Sequence, residues 1–322
     1  MSHFIVIAIA TCRRPAELVR LLDSLKKTGT QFGAIIVVDN GNDPATQNVF
    51  EASGLPGVCL PQLENAGCGG GLQIAEKTAV TWYGNAMTHL WILDDDAVVL
   101  PGAPELLLEA MQREDADVAS AMVLNGDGTI GNYPGLLDPA KFRAIRDLKD
   151  PSEFIARCSP DPIPFSWSTG IALLVSRRAL DELGVHRADY WVRGEDLEFS
   201  LRITHKYKGI LVPTAQVQHI PPSSAGAVSQ RDEYLKHSAM LQNLCYTALR
   251  LPHGHRIART LPGNFLRFYK TWPLARAILD SIRAFCIGAL LGKPAGLPGA
   301  DHFKRASERN HPSNTACASP SD

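Results

Sequence analysis

The amino-acid sequence predicts an α/β protein whose mostly parallel central sheet is flanked by helices. Short, wholly apolar runs typical of buried strands alternate with longer segments in which apolar residues recur at helical spacing. This alternation builds parallel sheets that are covered on both faces. Hydrophobic residues make up 45% of the 322 residues and charged residues 20%, the balance of a globular protein. Ligands of such folds bind outside the carboxyl ends of the strands.

The first half of the chain shows the clearest alternation of strands and helices. Buried strands are predicted at FIVIAIA (4–10), AIIVVD (34–39), GVCL (57–60), HLWILD (89–94) and DVASAMVL (117–124). Helices are predicted at 15–27, where Pro15 opens the first turn, at 69–83 after a glycine cluster, and at 101–114. These elements account for the parallel part of the predicted sheet.

The second half of the chain is less regular. Residues 125–165 are rich in Gly, Pro and Asp and are predicted to form loops. A strand (165–176), a helix (193–209) and one or two short strands broken by Pro213 (210–220) follow, and helices are predicted from 229 onward. The polar residues 296–322 contain few aliphatic side chains and are predicted to be disordered.

Composition excludes several classes of function. The net charge of −1 gives no reason to expect a nucleic-acid partner. The sequence has no uninterrupted apolar stretch long enough to span a bilayer and no basic N-terminal region, so neither a transmembrane helix nor a signal peptide is expected. Seven cysteines without a CxxC pair indicate a reducing compartment rather than a disulfide framework or a zinc site.

Three consecutive carboxylates follow the apolar residues of the strand at 89–94, and like charges this close repel one another. Side chains alternate along a strand, so Asp94 and Asp96 share one side while Asp95 lies on the other. A divalent cation such as Mg²⁺ or Mn²⁺ would relieve the repulsion, because hard cations bind carboxylate oxygens. The alternative is a solvated turn with an aspartate helix cap. Three carboxylates at the end of a buried strand favour metal or nucleotide binding.

Two further motifs lie at a predicted strand end and a helix start. Asp39 would accept a hydrogen bond from a base or ribose or, alternatively, would stabilise the turn at Asn40–Gly41. The glycines of ENAGCGGG (64–71) lead into a helix, where backbone N–H groups suit a diphosphate. The motif fits neither the dinucleotide fingerprint nor the ATPase loop, and a flexible loop is the alternative.

The remaining candidates lie in the second half of the chain. Glu195 and Asp196 open a predicted helix, where acidic residues complement the helix dipole or, if they face a cleft, serve as a general base. His219 ends the short strands at 210–220. A lone histidine is usually structural, but beside two aspartates it is a reasonable third metal ligand.

Taken in order, seven motifs resemble those of a family 2 glycosyltransferase with the GT-A fold. They are T-x-R-R-P at 11–15, VVDN at 37–40, ENAGCGGG at 64–71, LDDDA at 93–97, STG at 168–170, GED at 194–196 and the late His219. The resemblance covers about residues 4–222 and is greatest to bacterial galactofuranosyl- and rhamnosyltransferases. It implies a catalytic domain at 1–225, with a nucleotide-sugar half at about 1–124 and an acceptor half at about 125–225. A C-terminal helical region would follow at 226–295.

The resemblance also implies roles for individual residues. The nucleotide-sugar donor would be bound by Thr11, Arg14, Asp39, Asn65, Gly69, Asp94 and Asp95. The Mn²⁺ or Mg²⁺ ion would be held by Asp94, Asp96 and His219, and the acceptor sugar by Trp167, Trp191 and Glu195. Asp196 would be the catalytic base, with Glu195 as the alternative.

The implied reaction is an inverting, metal-dependent transfer in the synthesis of cell-surface polysaccharide. UDP-galactofuranose or dTDP-rhamnose would donate a sugar to a hydroxyl group of a glycan or lipid-linked glycan. In the galactofuranosyl branch a second acidic residue and a tryptophan often directly precede the base, whereas this chain has Arg193–Gly194–Glu195–Asp196. The acceptor pocket is therefore expected to differ. Because the chain lacks the long extra domains of polymerising members, we expect one or a few sugars per acceptor.

Two other functions fit parts of the sequence. DDDAV matches the DxDx[TV] motif of haloacid-dehalogenase-type phosphatases, but there the motif follows the first strand rather than a later one. The second is a catalytically silent nucleotide- or carbohydrate-binding module. Such a module would show a degraded aspartate motif or lack a candidate base, whereas this sequence has an intact aspartate motif and a candidate base.

Residues 264–293 predict contact with a membrane surface. The segment interleaves basic residues with aromatic and aliphatic ones and contains a single acid, Asp280. A helix with an apolar face beside basic residues lies stably in the lipid headgroup layer. The alternative is packing on the catalytic domain or on a second subunit of a homo-oligomer. With the implied lipid-linked acceptor, the pattern favours a cytoplasmic enzyme peripheral to the inner face of the cytoplasmic membrane.

Overall fold

The computed structural model describes residues 3–138, 145, 147–158, 161–221, 230–258, 260–292 and 294. Its strands are β1 Ile5–Thr11, β2 Ala34–Asp39, β3 Gly57–Pro61, β4 His89–Asp94, β5 Ala97–Val99, β6 Val118–Asn125, β7 Ile130–Asn132, β8 Gly135–Leu136, β9 Ile163–Trp167, β10 Ala172–Ser176 and β11 Gly209–His219. Its α-helices are α1 Pro15–Lys27, α2 Pro44–Ser53, α3 Gly67–Tyr83, α4 Ala103–Glu114, α5 Pro151–Cys158, α6 Arg177–Leu183, α7 Glu195–Lys206, α8 Gln230–Arg250, α9 His255–Ala258, α10 Leu261–Thr271 and α11 Leu274–Phe285.

The strands form one sheet in the order β3-β2-β1-β4-β10-β6-β11-β9-β8, with β5 beside β11 and β7 beside β6. The sheet is parallel from β3 to β4 and mixed beyond it, because β10 runs antiparallel between β4 and β6. Since β11 is parallel to β6, the strands β1, β4, β6 and β11 all point the same way. Their carboxyl ends therefore meet at one edge, where Thr11, Asp94 and His219 lie.

Burial on both faces explains why the central strands are uninterrupted apolar runs. Along β1, the side chains of Ile5, Ile7 and Ile9 belong to the core on one face of the sheet. Val6 and Ala8 belong to the core on the opposite face. Each of these five residues is at most 2% exposed, so residues 5–9 of the strand carry only apolar side chains, and the polar Thr11 comes at its carboxyl end.

Three segments differ from the sequence-based expectation. The strand predicted at 165–176 is two strands, β9 and β10, separated by residues 168–171. The segment 210–220 is one continuous strand despite Pro213, because a register shift between Val212 and Gln216 absorbs the proline. The loop region 125–165 contains β7, β8 and α5 as well as the start of β9. Periodicity within one short segment does not report which strands pair or how a proline is accommodated.

The C-terminal region is helical, as predicted. Within it, helix α11 packs against the other helices through small side chains. Ala277, Ser281 and Ala284 are buried, whereas the larger side chains on the other side of α11 are exposed. Among the described residues, every helix is too short or too polar to cross a bilayer. The predicted tail at 296–322 and the predicted domain boundary near 225 lie outside the described residues.

Candidate active site

The aspartates at the end of β4 are partnered by side chains from the end of β1 and the start of α1. Thr11 donates a 2.6 Å hydrogen bond from Oγ1 to Asp95 Oδ2. Arg14 donates from Nη1 to Asp95 Oδ1 at 3.0 Å and to Asp96 Oδ2 at 3.2 Å. The protein itself therefore offsets part of the repulsion expected for three adjacent carboxylates. The structure gives Asp95 a role in holding Thr11 and Arg14, and its contact with a donor stays a prediction.

Asp94, Asp96 and His219 come together although 123 residues separate Asp96 from His219 in the sequence. β5 pairs antiparallel with β11, which sets His219 opposite Ala97, the residue after Asp96. Ile220 N–H donates to the Asp96 carbonyl at 3.0 Å, and His219 Nε2 lies 3.1 Å from Asp96 Oδ1. One ligand atom from each of the three side chains lies within 4.8 Å of the other two.

This donor set fits a divalent cation. Two carboxylates and one imidazole suit Mn²⁺, and Mg²⁺ is also accommodated where phosphate oxygens and water complete the coordination. The electrostatics favour a cation as well. Burial, reinforced by the charge of Asp96, raises the pKa of Asp94 to about 7. The hydrogen bond that His219 donates to the Asp96 carboxylate raises the pKa of His219 above its usual value. Burial alone would raise the pKa of Asp96 too, but the hydrogen bond and charge of His219 and the charge of Arg14 hold it below its usual value.

Asp39 and Asn40 stabilise the turn that follows β2. Asp39 is 1% exposed, and its carboxylate accepts hydrogen bonds from the N–H groups of Gly41 (2.8 Å) and Asp43 (2.6 Å). This is the turn-forming role that the sequence left open, and donor binding by Asp39 stays a prediction. Asn40 was not a candidate, yet its Nδ2 donates to the Gly67 carbonyl at 2.9 Å and so ties this turn to the glycine cluster.

The glycine cluster allows α3 to approach the segment that precedes α7. A Cβ atom on Gly67, whose φ is +74°, would lie 2.2 Å from the Trp191 carbonyl oxygen. A Cβ on Gly69 would lie 2.3 Å from the Tyr190 carbonyl oxygen. Close packing therefore explains these glycines. Asn65 accepts a 2.8 Å hydrogen bond from Gly67 N–H. Binding of a donor by Asn65 and Gly69 remains a prediction.

The two candidate acceptor tryptophans have different surroundings. Trp191 is only 7% exposed, and its indole packs where a side chain on Gly67 would otherwise lie. A buried ring of this kind offers little surface to a sugar, and acceptor binding by Trp191 stays a prediction. Trp167 is half-buried at the end of β9 and lines an open cavity.

This cavity contains both candidate catalytic carboxylates and has a volume of about 440 Å³. Asp196 is held by two backbone groups, because its Oδ2 accepts from Gly170 N–H at 3.1 Å and its Oδ1 from Leu197 N–H at 2.7 Å. Glu195 is 7% exposed, and its buried Oε2 has no hydrogen-bond partner in the described part of the chain. The cavity is lined by Trp167, Ser168, Thr169, Arg193, Gly194, Glu195, Asp196, Leu197, Met240, Leu244, Thr260, Asn264 and Arg267.

The two carboxylates differ in how their charge is stabilised. Burial, followed by the charge of Asp196, raises the pKa of Glu195 to about 7. Burial also raises the pKa of Asp196, but the N–H groups of Leu197 and Gly170 oppose this rise by stabilising the ionised form. Of the two carboxylates, Asp196 is therefore the one whose ionised form is stabilised by more hydrogen bonds. The far wall of the cavity comes from α8 and α10, and no sequence motif had marked Met240, Leu244, Asn264 or Arg267 as site residues.

Residues 6–183 match the family described as glycosyl transferase family 2, and this match spans more than half of the chain. The chain belongs to glycosyltransferase family 2. It is therefore a glycosyltransferase, which excludes the phosphatase alternative. The matched residues contain the aspartate cluster but end before Glu195, Asp196 and His219.

Comparisons with individual proteins agree with this assignment. The chain is 26% identical over 212 residues to galactofuranosyltransferase GlfT1 of Mycolicibacterium smegmatis, covering 63% of this chain and 67% of that protein. Residues 1–349 of S. aureus TarS in complex with UDP-GlcNAc superpose with a TM-score of 0.59 at 14% identity, over 95% of this chain and 88% of that 1–349 fragment. GalNAc-T7 with UDP, GalNAc and Mn²⁺ gives a TM-score of 0.53 at 12% identity, over 89% of this chain but only 56% of that one. These structural similarities establish the GT-A fold of the family 2 enzyme.

Proposed function

We propose that this family 2 glycosyltransferase is an inverting, metal-dependent hexosyltransferase that transfers galactofuranose from UDP-galactofuranose to a hydroxyl group of a glycan or lipid-linked glycan. The proposal is carried by the cavity that Asp196 lines, together with the donor set of Asp94, Asp96 and His219, which fits a divalent cation. The similarity to a galactofuranosyltransferase supports the sugar, and dTDP-rhamnose is the second candidate donor.

The proposed mechanism assigns proton transfer to Asp196. Its ionised carboxylate, aimed by Gly170 and Leu197, accepts the proton of the acceptor hydroxyl as that oxygen attacks the anomeric carbon. Trp167 offers an aromatic face to the acceptor sugar. On the donor side, Asp94, Asp96 and His219 would hold Mn²⁺ or Mg²⁺, which when bound offsets charge on the diphosphate leaving group.

The proposed division of the chain follows from this arrangement. Residues 1–124 contribute the donor edge of the sheet, and residues 125–225 contribute Trp167 and the acidic pair. The helical region at 226–295 contributes the opposite wall of the acceptor cavity through Met240, Leu244 and Asn264. On this proposal, the helical region belongs to the acceptor site.

A panel of nucleotide sugars tests the proposed reaction. The enzyme should release free UDP from UDP-galactofuranose in the presence of Mn²⁺ and should lose this activity in EDTA. UDP release should be slower when water is the only acceptor than when a glycan acceptor is present. Release of dTDP from dTDP-rhamnose alone would reassign the sugar. Donor binding without nucleotide release from any donor, with or without acceptor, would contradict the proposed transfer.

We also propose that α11 rests on an anionic membrane surface. The helix buries its small residues and exposes large ones, so that one solvent-facing side carries Leu274, Ile278, Leu279, Ile282 and Phe285, each 42–67% exposed. Arg276 and Arg283 flank this apolar side and are exposed. Phe268, Tyr269 and Trp272 pack inward against Tyr234 and do not add to the exposed face. Aliphatic groups flanked by arginines complement acyl chains beneath anionic headgroups.

Sedimentation with vesicles tests the membrane proposal. The enzyme should pellet with phosphatidylglycerol vesicles at low salt and be released at high salt, since each basic residue contributes about 1 kcal/mol near such a surface. Leu279→Glu should remain in the supernatant. Leu63→Glu is the matched control, because Leu63 is 95% exposed and lies outside the helical region, so this variant should still pellet. If the wild-type enzyme does not sediment with vesicles and Leu279→Glu instead converts a dimer to monomers, the exposed apolar side of α11 is a homo-oligomer interface.

A further inference from the structure

The short segment that precedes α7 has an unusual backbone. Arg193 has φ +58° and Gly194 has φ +97°, so two consecutive residues lie in the left-handed region. A non-glycine residue adopts this conformation at a cost, and it persists only where the surroundings impose it. Gly194 is the N-cap of α7, and Asp196 is the second residue of that helix. The direction in which α7 starts, and with it the position of the base, therefore depends on this turn.

Helix α8 supplies the contacts that impose the turn. The Asn243 side chain is fully buried, and its Nδ2 donates to the carbonyl oxygens of Arg193 at 2.8 Å and Val192 at 3.2 Å. A Cβ atom on Gly194 would lie 3.3 Å from Asn243 Cβ, so the two backbones approach closely. One amide group thus satisfies two adjacent carbonyls that the left-handed turn removes from regular pairing.

Two further contacts from α8 lie on either side of Asn243. Arg193 forms an ion pair with Glu233, with Nη2 2.8 Å from Oε2. One helical turn beyond Asn243, Thr247 Oγ1 lies 2.6 Å from the Tyr190 hydroxyl group, and both groups are buried. Helix α8 therefore contacts the segment 190–194 at three points, in addition to the packing of Tyr190 and Trp191 against α3. Of the three contacts, that of Asn243 is nearest to the acidic pair.

We propose that Asn243 is a positioning residue for the catalytic base. It holds the carbonyls of Val192 and Arg193, this fixes the left-handed turn, and the turn sets where the first turn of α7 places the Asp196 carboxylate. The inference rests on the proposed function, in which Asp196 accepts the acceptor proton. A displacement of about 1 Å at a catalytic group commonly costs on the order of 10²-fold in rate, so loss of this contact has a kinetic signature.

The variant Asn243→Ala tests the proposal. Turnover should fall about 10-fold or more when it is expressed per UDP-binding site, while the Kd for UDP with Mn²⁺ and the KM for the donor stay near the wild-type values. The matched control is Leu241→Ala, which opens a cavity on the same helix at a fully buried residue. It should lower the Tm and leave turnover per binding site unchanged. Equal losses of turnover in the two variants would show a purely structural role for Asn243.

Combination with Asp196→Asn separates a positioning role from an independent one. If Asn243 acts through the base, adding Asn243→Ala to Asp196→Asn should lower turnover little further, because the two changes remove the same contribution. Fully multiplicative losses would overturn the proposal.

Amide hydrogen exchange gives a readout that does not depend on activity. The amides of residues 192–197 should exchange faster in Asn243→Ala and not in Leu241→Ala. Unchanged exchange in this segment would overturn the positioning role even if no donor were turned over. An active wild-type enzyme with unchanged exchange in Asn243→Ala would contradict this inference alone, whereas an inactive wild-type enzyme would contradict the proposed function.

Discussion

Replacing Asp196 by asparagine should lower turnover about 10²–10⁴-fold and leave donor affinity unchanged, because the amide keeps the size of the side chain but cannot accept a proton. The structure supports this assignment, since the Asp196 carboxylate lies in the cavity and is aimed by two backbone N–H groups. Initial rates with saturating donor and calorimetric titration of UDP would measure the two effects.

Glu195→Gln is the matched control for this change. Glu195 lies beside Asp196 in the same cavity, but one of its oxygens is buried and unpaired among the described residues. It is also the group whose pKa burial raises to about 7, so it is partly protonated at neutral pH. Its replacement by glutamine should therefore change turnover far less. If Glu195→Gln is inactive and Asp196→Asn is not, the base has been assigned to the wrong carboxylate.

Replacing Asp96 by alanine should abolish transfer and weaken donor binding in Mn²⁺ by at least about tenfold, since groups that only support metal ligands already cost 10–100-fold. Asp96 contacts both Arg14 and His219, so its loss removes a proposed metal ligand together with the contact that holds His219 beside it. Calorimetry of UDP with and without Mn²⁺ measures the loss, and circular dichroism confirms that the variant folds.

Asp127→Ala serves as the control, because Asp127 is an exposed turn residue that accepts hydrogen bonds from the backbone N–H and hydroxyl groups of Thr129. This variant should bind Mn²⁺ and UDP as the wild type does. Transfer that survives both Asp96→Ala and EDTA would remove the metal from the proposed mechanism.

Local pattern predicted most of the donor half of the fold. Helix α1 begins at Pro15 and ends at Lys27 as predicted, and β1 and β4 lie within one residue of their predicted bounds. Wholly apolar runs and helical spacing are properties of short segments, so a sequence reports them directly. Asp94, Asp96 and His219 lie together, as the resemblance to the family implied.

The acceptor half was predicted less well because its contacts join distant parts of the chain. Asn243 reaches Arg193 across 50 residues, and nothing in the sequence around either residue indicates that contact. The glycines of α3 were interpreted as a diphosphate-binding loop, yet Gly69 packs against Tyr190, which lies far along the chain. A glycine required by tertiary packing and one required by a ligand look identical in a single sequence.

The division of the candidate site between two stretches of sequence has a consequence for how such an enzyme diversifies. Thr11, Arg14 and the three aspartates lie in the first hundred residues, whereas Met240, Leu244 and Asn264 lie far downstream on separate helices. Under the proposed mechanism, mutations that reshape the downstream wall alter which acceptor is glycosylated without disturbing nucleotide or cation binding. Acceptor preference is then a trait that drifts independently of donor chemistry, except at Asn243, where a substitution made to fit a new acceptor would also move the base.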